Sequence, residues 1–153
     1  MRILLAVDGS AYSDAAIEEI VKRPWPPGSE VKVITAAEMP IMVGIEPWAA
    51  SPEYFEQLEK GIRLAGQDVI NRAMAKLNTI EDKTLKISTE IIEGPPRQVI
   101  VDEAENWHAD LIVIGSRGLG AWNRLLLGSV SSGVVHHAGC SVEIVRLPAA
   151  PVA

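Results

Sequence analysis

The chain is poor in residues that form covalent or metal cross-links, because it has a single cysteine, Cys140, among 153 residues. A single cysteine excludes an intramolecular disulfide, and no zinc-ligand spacing accompanies it. We therefore interpret Cys140 as a small core residue. A chain of this length corresponds to one domain that is large enough to bury a core without such cross-links.

Positive charge is also scarce. The chain has 14 lysines and arginines against 20 acidic residues, a net charge of −6 and a pI near 5.1. This balance disfavours nucleic acid and anionic membranes as partners, since both require clustered cations. No apolar run reaches the ~18 residues of a membrane span, and Met1-Arg2 leads into a strand-like run without a signal segment. We expect a cytoplasmic protein.

Catalytic patterns are missing as well. The sequence has no paired catalytic carboxylates, Cys-His arrangement or Ser-His-Asp order that can be placed. His136 and His137 fall at the end of a predicted helix, where cations are favourable for dipole reasons alone. No catalytic residue is therefore predicted.

The pattern that is present alternates short apolar runs with segments of helical period. Strands are predicted at 3–7, 31–36, 85–92, 111–114 and 142–145, the third with the polar face of an edge strand. Helices are predicted from a cap at Ser10 or Ser13 to about residue 23, at 52–78, after Pro96 and at 129–138. A long loop rich in Pro and Gly covers 38–51. This alternation predicts a single α/β domain, a doubly wound parallel sheet with helices on both faces, over 1–148 and a frayed tail at 149–153.

A glycine-bearing loop between the fourth strand and the last helix carries most of the functional information. Two residues separate Gly115 from Gly118, and nine separate Gly118 from Gly128-Ser129. The loop is neither a P-loop nor the compact dinucleotide fingerprint. Glycines let backbone N–H groups approach an anion, and the start of a helix favours negative charge. The spacing therefore predicts a cradle for nucleotide phosphates.

With this motif, the chain resembles the ATP-binding branch of the universal stress protein family over nearly its whole length. Two further anchors are the sequence ILLAVDGS at 3–10 and HAGCSVEIV at 137–145. The resemblance implies strand order 3-2-1-4-5, with the ligand at the switch between strands one and four. Gly139 and Ser141 depart from the family, which often has proline near this cysteine.

The same resemblance implies a site for ATP with Mg²⁺ or Mn²⁺. Asp8 would contact ribose hydroxyls or the metal, which is held mostly through the phosphates; an Asx turn with Gly9 and Ser10 is the alternative. Arg117 and Arg124 either neutralise phosphate or face water. The implied nucleotide-binding residues are Ala6, Val7, Asp8, Ala36, Ile114, Gly115, Arg117, Gly118, Gly128, Ser129, Val130 and Ser131.

The function that follows is nucleotide-dependent regulation or stress response by a binding protein. The resemblance also implies a homodimer in which strand 142–147 pairs antiparallel with its copy. The charge of Glu143 suits this seam poorly, and we expect it to pair with Arg146 across the axis. Two alternatives stay open at this point. One is a slow ATPase or nucleotidyl transferase on the same fold, and the other is an interaction module that binds no nucleotide.

Overall fold

The computed structural model describes residues 1–40, 51–81, 84–119 and 127–147. Arg124, most of the predicted loop 38–51 and the predicted tail 149–153 lie outside these ranges. Strands and helices alternate along the described chain. The elements are β1 (Arg2–Ala6), α1 (Ala11–Lys22), β2 (Glu30–Ala37), α2 (Pro52–Leu77), β3 (Lys86–Glu93), α3 (Pro96–Asn106), β4 (Leu111–Gly115), α4 (Ser129–His137) and β5 (Ser141–Val145).

The strands form one parallel sheet in the order β3-β2-β1-β4-β5, which confirms the predicted fold and strand order. Leu5 pairs with Val33 on one side and with Val113 on the other. The strand order reverses at the central strand, where β1 separates β2 from β4. The carboxyl ends of β1 and β4 therefore lie side by side, with Ala6 opposite Ile114. The observed boundaries differ from the predicted ones by at most one residue.

Side chains of the central strands alternate between two apolar cores, one on each face of the sheet. Ile3 and Leu5 of β1 pack with α1 and α2, whereas Leu4 and Ala6 pack with α3 and α4. Ile3, Leu4 and Leu5 are completely buried. This two-sided burial explains why the strand reads as a continuous apolar run in the sequence. No helix in the described ranges combines the length and the apolar character that a bilayer span requires.

Helix α1 is fixed at both ends. Ser10 is its cap: its Oγ accepts a hydrogen bond from the Ser13 N–H (3.2 Å), and the Ser13 hydroxyl donates to the Ser10 carbonyl (2.9 Å). At the other end, Arg23 donates to both oxygens of Glu143 in β5, each at 2.7 Å, and to Glu19. Glu143 therefore pairs within its own chain, and its expected pairing with Arg146 across a two-fold axis stays a prediction.

Lys32 forms a half-buried ionic cluster that joins three elements. Its Nζ lies 2.5 Å from carboxylate oxygens of Glu90 in β3 and Glu103 in α3, and its side chain is only 15% exposed. Burial lowers the pKa of Lys32, but the hydrogen bonds to Glu103 and Glu90 outweigh burial and raise that pKa above its ordinary value. The protonated form is therefore favoured by folding.

We predict that Lys32→Met lowers the free energy of unfolding by about 2–3 kcal/mol at neutral pH, because it leaves the mostly buried Glu103 carboxylate without its partner. A group whose pKa is raised in the folded state stabilises that state below its unfolded pKa, about 10.4 for lysine, and stops doing so as pH rises through the folded pKa. The difference between wild type and variant should therefore hold from pH 7 to about 10 and shrink above it.

Urea unfolding across this pH range measures both effects. Lys22→Met is the matched control, because Lys22 is 71% exposed in its pair with Glu18 and should change stability by no more than about 0.5 kcal/mol. Equal losses in the two variants would contradict the structural role of the Lys32 cluster.

Candidate functional site

A cleft of about 480 Å³ opens at the carboxyl ends of β1, β2 and β4, where the strand order reverses. Pockets for small ligands commonly have volumes of ~300–1,000 Å³, and in open α/β sheets they lie at such reversals. Every nucleotide-binding residue implied by the sequence lies along this one cleft. The structure therefore brings together residues that are more than a hundred positions apart in the chain.

The start of α4 presents backbone donors to the cleft. Gly128 is the cap residue: its N–H donates to the Ser116 carbonyl and its carbonyl accepts from the Ser132 N–H, both at 2.9 Å. The bond from the Ser132 N–H to the Gly128 carbonyl is the first of the helix. Among the described residues, no side chain accepts a hydrogen bond from the N–H groups of the first turn. The N–H groups of Ser129, Val130 and Ser131 belong to this uncapped first turn, where a helix leaves its donors without backbone partners. The positive end of the helix dipole and these N–H groups favour an anion here.

Ser131 holds the glycine loop against this helix. Its hydroxyl is buried and contacts the carbonyl oxygens of Ser116 (2.9 Å) and Gly128 (3.1 Å). The side chain is therefore occupied in joining the end of β4 to the first turn of α4. Its contribution to a ligand would come from its backbone N–H.

The glycines of the motif differ in what surrounds them. A Cβ on Gly118 would lie 2.6 Å from Oδ2 of Asp8, so the loop directly covers that carboxylate. A Cβ on Gly128 would lie 3.2 Å from the Cα of Arg117. A Cβ on Gly115 would lie 2.6 Å from the carbonyl carbon of Tyr12 and 2.9 Å from the Ser13 nitrogen. Gly115 therefore permits α1 to pack against the end of β4, although it also lines the cleft.

Asp8 takes part in the alternative predicted for it, the Asx turn. Its Oδ1 accepts a hydrogen bond from the Ser10 N–H at 2.9 Å, and Gly9 between them has φ +78°. The other oxygen, Oδ2, lies toward Gly118 on the cleft. The turn aims the carboxylate, so the two interpretations of Asp8 are compatible.

Arg117 is held at the edge of the site by an aromatic residue. Its Nη1 donates to the Tyr12 hydroxyl at 2.7 Å, and its guanidinium carbon lies 5.2 Å from the centroid of the tyrosine ring. The other charged residues among the described lining are Asp8 and Glu38. The described wall of the cleft thus has two carboxylates and one guanidinium.

The end of the cleft formed by β2 and α3, across β1 from β4, is mostly apolar. Ile34 and Ala36 of β2 and Ile100 of α3 line it, and they pack in one apolar core with Ile114 of β4. Sequence reasoning missed several lining residues on these elements and at the loop: Ser13, Ile34, Thr35, Glu38, Pro96, Ile100 and Leu119. The break at 94–96 was a usable signal for Pro96 and Ile100, because it marks a helix that starts at the carboxyl edge of the sheet.

Comparison with known proteins supports a family assignment. The model of the universal stress protein family matches residues 1–146. This chain belongs to the universal stress protein family. A universal stress protein of Methanocaldococcus jannaschii is 33% identical over 147 residues, which cover 96% of this chain and 82% of that relative.

Solved structures of the family share the fold. Universal stress protein UspA from Lactobacillus plantarum superposes with a TM-score of 0.77 at 24% identity, over 95% of this chain and 97% of that one. A family member from Arabidopsis thaliana with AMP bound superposes with a TM-score of 0.68 at 22% identity, over 97% of this chain and 93% of that one.

We predict that Gly115→Ala lowers the free energy of unfolding by about 2–3 kcal/mol, because the new methyl group would overlap backbone atoms of α1, which cannot rotate away. Gly61→Ala is the matched control. A Cβ at Gly61 meets nothing within 4 Å, and alanine in a helix interior should stabilise by about 0.5–1 kcal/mol. Urea unfolding of both variants measures the difference, and an unaffected Gly115→Ala protein would show that α1 does not pack this closely on β4.

Proposed function

We propose that this universal stress protein binds ATP in the cleft and acts as a nucleotide-dependent regulatory protein. The observation that carries the proposal is the uncapped start of α4, with the N–H groups of Ser129, Val130 and Ser131, beside Gly118 and the carboxylate of Asp8. The AMP bound to the Arabidopsis relative supports an adenine nucleotide as the ligand class.

The orientation of the nucleotide follows from the two unlike ends of the cleft. Phosphates match the α4 start, because N–H donors and the helix dipole favour negative charge there. The base matches the apolar end beside Ala36, whose small side chain leaves room for a flat ring. Asp8 lies between these ends, where a carboxylate oxygen can accept from ribose hydroxyls.

A metal ion would reach this site mainly with the nucleotide. Among the described residues, no group of three or more histidine, cysteine or acidic side chains is arranged to hold a metal. Mg²⁺ is commonly held by one or two carboxylates together with substrate phosphates. Asp8 fits that role, and Mg²⁺ or Mn²⁺ bound there would neutralise phosphate charge in a cleft that itself contains two carboxylates.

We predict that Gly118→Val weakens ATP binding at least about tenfold, which corresponds to about 1.4 kcal/mol. The side chain would displace Asp8 and separate the loop from the phosphates. Asp8→Ala should weaken binding similarly, whereas Asp8→Asn, which keeps an acceptor for the Ser10 N–H, isolates the loss of charge. Titration calorimetry with ATP and Mg²⁺ measures affinity, and circular dichroism checks folding.

Gly139→Val is the matched control for these variants, because a Cβ at Gly139 meets nothing within 4 Å and the residue is absent from the cleft lining. Its affinity should equal that of the wild type. An unchanged affinity in folded Gly118→Val would contradict the phosphate cradle. Absence of adenine nucleotide binding in the wild type would leave the interaction module as the function.

We also propose that β5 forms a homodimer by antiparallel pairing with its copy. Within the described residues, β5 pairs with β4 on one edge only. The Val145 carbonyl accepts from the Ser116 N–H on the β4 side, so the neighbouring Ile144 directs its N–H to the other edge. Val142 and Ile144 are partly buried against the core of their own chain, and Leu147 is 40% exposed, so some apolar surface accompanies this edge.

We predict that Ile144→Pro converts the protein to a monomer, because it removes an edge donor while leaving the β4 ladder its own donors. Light scattering should give about twice the 16.5 kDa chain mass for the wild type and the single mass for the variant. Glu143→Gln removes the charge that pairs with Arg23 and should stay dimeric. A monomeric wild type, or a folded Ile144→Pro dimer, would rule out this interface.

A further inference from the structure

Arg117 is the only lysine or arginine among the described residues that line the cleft, and a residue outside that lining holds it. The Tyr12 hydroxyl accepts from its Nη1 at 2.7 Å, and the guanidinium lies over the tyrosine ring at 5.2 Å. A guanidinium presents five N–H donors in a rigid fork, and the tyrosine hydroxyl accepts from one of them. The contact therefore fixes the direction of the cation.

Tyr12 is itself fixed relative to the strand from which the arginine emerges. Its carbonyl carbon and oxygen lie 2.6 and 2.7 Å from the position that a Cβ on Gly115 would take. Its helix turn is capped by Ser10. Arg117 follows Gly115 by two residues, so tyrosine and arginine are both anchored to the end of β4. Much of the rotamer freedom that a long arginine side chain loses on binding an anion is already lost here.

The backbone of Arg117 also borders the predicted phosphate position. Its Cα is 3.2 Å from where a Cβ on Gly128 would lie, and Gly128 caps the helix whose first N–H groups face the cleft. Those N–H groups can donate to the first phosphate of any nucleotide, whatever the length of its phosphate chain. A longer phosphate chain carries more negative charge, which the carboxylates of Asp8 and Glu38 oppose and a guanidinium stabilises.

We propose that Tyr12 is a positioning residue that holds Arg117 at the phosphate end of the cleft and thereby favours nucleotides with longer phosphate chains. The inference rests on the proposed function and assigns a phosphate-number preference to the same site. Tyr12 acts through the arginine and does not touch the ligand.

The test is titration calorimetry with ATP and with AMP, at fixed ionic strength and Mg²⁺. The proteins compared are the wild type, Tyr12→Phe, Arg117→Met, the double variant and the control Tyr54→Phe. Tyr12→Phe keeps the ring and removes only the hydroxyl, so the Kd for ATP should rise about three- to tenfold. The Kd for AMP should stay within about twofold of its wild-type value, since AMP has a single phosphate group and therefore less negative charge for the guanidinium to stabilise.

The double variant distinguishes positioning from an independent effect. If the tyrosine acts through the arginine, Arg117→Met should weaken ATP binding by about tenfold or more, and Tyr12→Phe should add nothing in its background. Tyr54 is an exposed tyrosine in the first turn of α2, and its replacement should leave both affinities unchanged. Circular dichroism and thermal unfolding confirm that each variant is folded.

Each remaining outcome overturns the inference. Equal losses for ATP and AMP in Tyr12→Phe would indicate a general disturbance of the cleft, and fully additive losses in the double variant would separate the tyrosine from the arginine. If the wild type binds both nucleotides and Tyr12→Phe leaves the ratio of the ATP and AMP affinities unchanged, the positioning role of Tyr12 alone is refuted. A wild type that binds neither refutes the proposed function as well.

Discussion

Parallel pairing of β1 with β4 is the constraint on which both the cores and the cleft depend. Because these strands lie side by side at the reversal of strand order, Asp8 at the end of one meets Gly118 after the end of the other. Their side chains also close the two apolar layers, with Leu5 and Val113 on one face and Leu4 and Ile112 on the other. The same pairing that buries the core therefore builds the site.

Helix α1 depends on this pairing through a contact between backbones. Gly115 lets the first turn of α1 approach the end of β4 to a distance that any side chain would prevent. That turn carries Ser10, which the Asp8 carboxylate binds, and Tyr12, which holds Arg117. The absence of a Cβ at Gly115 thus allows a single helix turn to orient both a carboxylate and a guanidinium at the cleft. A glycine in a binding motif is often explained only by ligand approach, and here packing accounts for Gly115 equally well.

The sequence predicted the features that depend on local pattern. Continuous apolar runs identified the buried strands, and the confirmed strand order came from the family resemblance rather than from those runs. The glycine spacing led to residues that the structure gathers along one cleft. Other features arise only when distant segments meet. Neither the Arg23 to Glu143 pair, 120 residues apart, nor the contact between Tyr12 and Arg117, 105 residues apart, has a periodic or compositional signal. The choice between Ser10 and Ser13 as the cap likewise required the geometry of the turn.

The electrostatics of the cleft bear on the proposed nucleotide binding, because the protein is acidic and the proposed ligand is an anion. With a net charge of −6 and two carboxylates against one guanidinium on the described wall, side chains provide little attraction for a phosphate chain. In the proposed complex, backbone N–H groups at the start of α4 would provide it instead, and they do not change the net charge of the molecule. Attraction of this kind acts over the first turn of the helix only. In the proposed complex, recognition of the phosphates therefore depends on the close fit of the glycine loop and the direction of Arg117, and not on the overall field of the protein.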